Sequence, residues 1–488
     1  MIADLKNIAK HTSIYTLGNI LTKVVGFFMI PIYTHYLSTS DYGILELLTL
    51  TSTILAMILG LRLPSALVRF YPESENMKDK NRLVSTILMT VVVISVGALC
   101  FLLPSREFIS RWVFGSEAYS RHFTFIFVSL AFELCNAVSY TYLRILEKSG
   151  YFTVVSLLQL VLGLSLNIYF IVGLGWGVLG ILMSMVISNG LICLLLVGYM
   201  LLKVKFHPDI SQIPMLLKYT APLILSGFFI FILNMGDRFL LNRLADLNAV
   251  GIYSLGYKFG MMLNIFVGDP FHLTWAPKRV EIYKRWINRN EVFRQVTTYL
   301  ILILAFVGLI ISILIKDVLI FIAAPEFLPA YRVVPWVVLG YAFYILYYVV
   351  DIGIFMNNKN FWYLTISFLA ATLNLGLNFL LIPRLGFMGA AISTTVSFAF
   401  CPVMAFFISQ KYYPVPYDFV RILKIILSAL AIYWISSQIS IPLPLLDILV
   451  KLVMIISYPI TLYLIGFFEP EEIFFIKGRL FQRLGLVS

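Results

Sequence analysis

Eight ionisable side chains interrupt long apolar runs in this chain. Lys23, Arg62, Arg238 and Lys258 are basic; Glu133, Asp237, Asp269 and Asp351 are acidic. A charge at the centre of a membrane span costs about 2.5–3.5 kcal/mol on insertion scales, so such residues rarely face lipid and each is a functional hypothesis. The four bases suit an anionic ligand, a carboxylate or a phosphate. Arginine grips phosphate through two parallel hydrogen bonds, and lysine attracts it as a point charge. The four carboxylates are the candidates for ion coupling.

Each also has a structural reading. Arg69, seven residues after Arg62 and on the same helical face, fits an interfacial position from which its side chain snorkels to water. Asp237 and Arg238 are neighbours and would point about 100° apart on a helix, so each would tie to a different partner. Glu133 fits a structural partner for a base nearby. Lys23 and Lys258 are the hardest to explain structurally, because both fall near mid-span.

Other chemistry has no support. The chain has no Walker A loop, HExxH or GxSxG, the local patterns of nucleotide hydrolysis, zinc proteolysis and serine hydrolysis. The five histidines, at 11, 35, 122, 207 and 272, do not cluster. Cys100, Cys135, Cys193 and Cys401 are isolated in apolar stretches and are read as buried structural thiols. Neither a metal nor a cofactor is expected, and the chain is not expected to be an enzyme.

The elements that must hold these charges follow from composition. Of 488 residues 60% are hydrophobic and 12% charged, against about 25% charged in a soluble domain. The apolar runs continue from end to end, which excludes a soluble enzyme, a disordered chain and a single anchored domain. The N-terminus shows no signal-peptide cleavage pattern. The class is an all-α polytopic membrane protein. Fourteen helices are predicted, near 12–35, 44–68, 83–104, 122–144, 150–172, 178–202, 218–243, 249–272, 295–315, 332–356, 360–382, 386–409, 418–438 and 446–467. They are called helix 1 to helix 14 in that order. Barrel strands would be about half as long and would alternate in polarity.

The net charge of +12 reflects topology rather than nucleic-acid binding. Lys and Arg favour the side of the N-terminus over the other by roughly three to one, which places both termini in the cytoplasm. The loop around Lys278, Arg279, Lys284, Arg285 and Arg289 is the strongest part of that signal. It is read as enforcing topology and touching lipid head groups.

The chain also repeats itself. YLSTSDYGI at 36–44 matches LADLNAVGI at 244–252, with Gly43 and Gly251 208 residues apart. GVLGILMS from Gly177 matches GFMGAAIS from Gly386, 209 apart, and each follows a helix containing Leu-Asn. A shared offset of six helices implies a parallel repeat about a pseudo-two-fold axis along the membrane normal. The predicted division is an N-lobe at 1–210 (helices 1–6), a C-lobe at 211–412 (helices 7–12), and helices 13–14 with the C-terminal tail at 413–488.

Three segments carry a family resemblance. GNILTKVVGFFMIPIYTHYLSTSDYGILELL, GDRFLLNRLADLNAVGIYSLGYKFGMML and LNLGLNFLLIPRLGFMGAAISTTVS resemble polysaccharide-transport (Wzx-type flippase) proteins of the multidrug/oligosaccharidyl-lipid/polysaccharide exporter superfamily. The resemblance implies a flippase for an undecaprenyl-diphosphate-linked oligosaccharide in the bacterial cytoplasmic membrane, working by alternating access. It implies a cavity lined by helices 1, 2, 7 and 8, with Lys23, Arg62, Arg238 and Lys258 as its cationic patch. Glu133, Asp237, Asp269 and Asp351 would be the carboxylates for coupling. Implied partners are membrane lipid and the polysaccharide polymerase and chain-length machinery of O-antigen or capsule synthesis, with no nucleic acid. The competing readings are a peptidoglycan-precursor flippase, a drug/cation antiporter and a non-transporting scaffold for glycan synthesis. The embedded bases argue against the antiporter.

Overall fold

The computed structural model describes residues 27–470 and Glu472, apart from 440. Among the described residues there is no strand, and thirteen helices are long and apolar enough to cross a membrane. They coincide with predicted helices 2 to 14. Most of helix 1, with Lys23, lies outside the described residues, although 27–36 is helical.

Helix 2 starts at Thr39 because Ser38 and Asp41 form a capping box. The Ser38 Oγ accepts from the Asp41 N–H, and an Asp41 carboxylate oxygen accepts from the Ser38 N–H, both at 3.1 Å. Such a cap contributes about 1 kcal/mol. The second half repeats the device 208 residues on, where the Asp246 carboxylate accepts from the Ala249 N–H at 2.7 Å. Helix 8 starts immediately afterwards, at Leu247.

These two equivalent starts pack on each other. A Cβ on Gly43 would collide with the Leu247 carbonyl oxygen and lie 3.2 Å from the Gly251 nitrogen. A Cβ on Gly251 would collide with the Thr39 carbonyl oxygen and lie 3.2 Å from the Gly43 nitrogen. Residue 39 stands to 247 as 43 stands to 251, so each half does to the other what is done to it. A two-fold axis requires that reciprocity. The Thr39 hydroxyl donates to the Asn248 side-chain oxygen at 2.8 Å beside it.

The other repeated motif shows the same geometry. Gly177 and Gly386 have φ of +53° and +56°, a left-handed turn that glycine adopts without penalty. Gly175, Gly177 and Gly180 also have the spacing of a dinucleotide-binding loop. They join two helices, not a strand to a helix, and so do not form one.

Five elements differ from the predicted spans. Helix 2 is Thr39–Leu59, then a bend, then Leu63–Phe70. Helix 5 ends in a π-turn, Tyr169–Gly173. Helix 7 is Ile213–Met235, interrupted at Gly236, then Asp237–Leu244. Helix 8 contains a π-turn, Asn264–Gly268, and continues as Asp269–Arg285. Helix 10 is Val334–Val350, broken at Asp351, then Ile352–Met356. The basic loop expected near 278–289 is therefore largely helix.

The described chain forms two compact units. The first holds 1–254, 322–327 and 378–390; the second holds 255–321, 328–377 and 391–488. In the second, helices 13 and 14 share a core with helix 9, through Ile301, Leu309, Ile425, Ile432, Ile455 and Tyr458. Lys451 of helix 14 bonds Asp317 of helix 9 at 2.7 Å and also contacts Asp447. Cys135 and Cys401 are buried as expected, but Cys100 is exposed and Cys193 half-buried. Helix 3 turns Cys100 and Phe101 outward, to a face that lipid would cover. The Cys135 thiol lies 4.0 Å from the Ser95 hydroxyl.

Candidate functional site

The candidate charges gather where helices break. Breaking a helix inside a membrane frees backbone groups that lipid cannot satisfy, so breaks occur only where protein or a cavity supplies partners. In transporters such breaks line the substrate site.

Arg62 sits at the sharpest break, in the first unit. Leu61 and Arg62 have φ of +47° and +51°, which costs roughly 1–2 kcal/mol for each residue that has a Cβ. Pro64 enforces the bend, because it has no N–H to return to the Gly60 carbonyl. Leu63 and Ser65 bond back to Gly60 and Arg62 at 2.9 Å instead. Arg62 is exposed and has no carboxylate partner among the described residues. Its guanidinium lies over helix 7, 2.6 Å from where a Cβ on Gly227 would be.

Glu133 flanks the same bend. A Cβ on Gly60 would touch the Leu134 side chain at 3.2 Å, and Glu133 is the adjacent residue of helix 4 (Ser120–Ile145). It is exposed at the middle of its span with no ion pair among the described residues. Among the described residues no base pairs with it. Arg62 on the bend and Glu133 on the neighbouring helix each have no ion-pair partner among the described residues.

Asp237 and Arg238 behave otherwise. Both are wholly buried, and they pair with each other at 2.6 Å. The expectation that these neighbours diverge fails because the helix is interrupted at Gly236 and the guanidinium turns back. Its Nη1 also donates to the Asn234 carbonyl at 2.6 Å, and the group lies 4.9 Å from the Tyr253 ring centre. The Tyr253 hydroxyl donates to the other Asp237 oxygen. Arg238 therefore lies inside the first unit and does not join Arg62 on an open surface.

In the second unit, Asp351 occupies the break in helix 10. It accepts from Arg279 Nη1 at 2.8 Å and from the Tyr363 hydroxyl at 2.6 Å. The Arg279 guanidinium lies 3.5 Å from the Phe355 ring centre. Arg279 was expected in a surface loop, but the pair ties helix 8 to helix 10 and is buried on both sides. Lys258 is half-buried in helix 8. Asp269, also half-buried, follows the π-turn and accepts from the Asn264 amide at 2.8 Å. His272 stacks edge-on against Tyr348. Arg69 pairs with Glu73 at 2.7 Å on an exposed face, consistent with an interfacial position.

No group of three or more His, Cys, Asp or Glu that could hold a metal occurs among the described residues. Sequence reasoning missed Arg279 as the partner of Asp351. The signal for it was available: helix 8 has no glycine between Gly268 and Trp286, and its polarity alone suggested a loop.

Two-fold-related helices and, among the described residues, thirteen candidate spans, several broken at charged residues, define an all-helical polytopic membrane protein with a two-lobe repeat. The profile of the family described as "Polysaccharide biosynthesis protein" matches residues 8–283, more than half the chain, and the chain belongs to that family. Solved structures share its fold. The lipid II flippase MurJ, inward closed, is 15% identical with a TM-score of 0.73, over 92% of this chain and 98% of that one. An inward-facing multidrug-resistance MATE transporter of the MOP superfamily is 14% identical with a TM-score of 0.58, over 80% and 94%. A point mutant of the Vibrio cholerae MATE transporter VcmN is 15% identical with a TM-score of 0.56, over 83% and 96%. No curated protein matches the chain in sequence.

Proposed function

We propose that the chain is a flippase that carries an undecaprenyl-diphosphate-linked oligosaccharide across the bacterial cytoplasmic membrane for surface-polysaccharide synthesis. Arg62 carries the reading. It is an exposed cation on a strained bend inside the apolar layer, and an anionic diphosphate is the complement that offsets its cost. Lys23 and Lys258 are proposed to complete the patch, and Arg238 to stabilise the helix that faces Arg62. Family membership favours a surface glycan over the peptidoglycan precursor, and the fold of the lipid II flippase supports a lipid-linked cargo.

The lobes at 1–210 and 211–412 rock about the two-fold contact, with 413–488 appended and both termini cytoplasmic. Glu133 is the carboxylate best placed for ion coupling, because Asp237 and Asp351 already hold buried arginines. Asp269 is the second choice. The polymerase and chain-length machinery are the partners expected downstream.

The test is translocation of a fluorescent undecaprenyl-diphosphate oligosaccharide in proteoliposomes, comparing wild type with Lys23→Ala, Arg62→Ala and Lys258→Ala. Loss of transport in correctly folded variants supports the reading. Transport unaffected by all three changes sinks the cationic site. Drug efflux without lipid transport by wild type would move the chain to the antiporters, and activity of neither kind would make it a scaffold.

A further inference from the structure

The first unit contains a cavity that adjoins the bend at Pro64. It has a volume of about 670 Å³, within the roughly 300–1,000 Å³ typical of small-molecule sites. Helices 1, 4 and 5 line it, with Pro64 at one edge. From Phe152 to Asn167, helix 5 contributes about 22 Å of wall, at 1.5 Å per residue.

Its lining is mostly apolar, with polar side chains spaced along two of its helices. Tyr140, Thr141 and Arg144 lie along helix 4; Ser156, Gln159 and Asn167 lie along helix 5. The polar groups are held in place from behind. The Tyr140 hydroxyl donates to Gln159 at 2.7 Å, Gln159 donates to Asn189 at 2.8 Å, and Asn189 donates to Ser129 at 2.9 Å. Asn167 donates to the Tyr33 hydroxyl at 3.1 Å, while its side-chain oxygen is buried without a partner. Arg144 is exposed, donates to Thr141 at 2.8 Å, and has no carboxylate partner among the described residues. Tyr140 and Phe152 meet edge to face at 5.3 Å.

We propose that this cavity binds the sugar rings of the cargo while the diphosphate is held elsewhere. Sugar hydroxyls both donate and accept, as do the amides of Gln159 and Asn167 and the hydroxyl of Tyr140. The apolar faces of sugar rings match the aromatic walls. Among the described residues the lining holds one cation, Arg144, and no acid, which selects neutral or acidic glycans over cationic ones. A polyisoprenoid tail is the wrong occupant, because it would bury Gln159, Asn167 and Arg144 against hydrocarbon. This inference rests on the flippase reading.

Gly163 allows a clean test. It lines the cavity, and a Cβ there would meet no atom within 4 Å. Gly163→Phe should therefore fill the cavity without disturbing the packing, with Gly163→Ala as control. Flipping would be measured for the lipid-linked oligosaccharides extracted from the source cells, and for the same pool trimmed by exoglycosidases to the first sugar. The expected result is at least a tenfold slower rate for the full glycan in Gly163→Phe, with the trimmed lipid within twofold of wild type. Asn167→Leu, which keeps the volume but removes the amide, should show the same selectivity in a smaller degree. Equal rates for both substrates in both variants overturn the subsite and leave the flippase standing, as does an equal loss for both. Failure of wild type to flip either lipid overturns the flippase reading and the subsite with it.

Discussion

Replacing Gly43 or Gly251 by alanine places a methyl group inside the contact that joins the two halves. Each methyl would sit closer than 3.0 Å to a carbonyl oxygen of the opposite helix, and backbone cannot swing aside as a side chain can. The helices must separate by about 1 Å or more, and overpacking of that kind costs about 1–3 kcal/mol. Against it stands the gain of about 1 kcal/mol from replacing a helical glycine by alanine. The net loss for either single variant is therefore about 0–2 kcal/mol. The reciprocal geometry adds a stronger condition. One separation relieves both collisions, so the double variant should cost clearly less than the sum of the singles, a coupling of about 1 kcal/mol. Gly97 and Gly198 are helical glycines with no atom within 4 Å of a Cβ, and alanine there should stabilise by about 0.5–1 kcal/mol. Unfolding in SDS, followed by tryptophan fluorescence, measures all five variants. Gly43→Ala and Gly251→Ala behaving like Gly97→Ala would refute the close crossing. Strict additivity of the pair would refute the shared two-fold contact.

Arg62→Gly should stabilise the protein by about 1 kcal/mol, since glycine adopts the left-handed bend without strain, yet lower flipping more than tenfold. A parallel fall in stability would show that Arg62 is structural. Arg279→Met should cost about 3–5 kcal/mol by leaving Asp351 buried alone, and adding Asp351→Leu should restore most of it; SDS unfolding reads both. Glu472 lies beyond the last span and carries a pH dependence. Burial would raise its carboxyl, but hydrogen bonds from Tyr299, the Glu469 N–H and Arg421 outweigh burial and hold it below the ordinary range. A lowered folded value means that its contribution is complete above the ordinary glutamate value of about 4.3 and is lost as pH falls through the folded value. The advantage of wild type over Glu472→Gln in unfolding midpoint should be present at pH 6 and shrink as pH falls below about 4.3. An advantage independent of pH would show that the carboxylate charge plays no part.

The spans were legible because lipid makes the rule severe. Any segment of the right length that can satisfy its own backbone must be a helix, and helices 2 to 14 appear where hydropathy places them. The repeat was legible from Gly43 and Gly251, and the reason is physical. Both glycines are fixed by one close contact, so both halves must keep them at the same register. What hydropathy does not resolve is the interior of a span. Residues 44–68 read as one helix, because the average over the window hides the Gly60–Pro64 spacing that bends it. Residues 273–285 read as a loop, because charge was taken as exposure, although Arg279 is buried against Asp351.

The same blindness explains why eight charges looked like one class. A hydropathy profile assigns Arg62 and Arg238 the same cost, and only the backbone around them separates their roles. Arg238 follows an interruption that turns it into its neighbour's carboxylate, which neutralises the charge within the first unit. Arg62 stands on a left-handed bend and has no carboxylate partner among the described residues. A strained bend persists only when its surroundings over-determine it, and Pro64 together with the Gly60–Leu134 contact does so here. The bend therefore leaves one cation within a predicted span without a carboxylate partner among the described residues. That is the condition for it to meet a charge the protein does not itself contain.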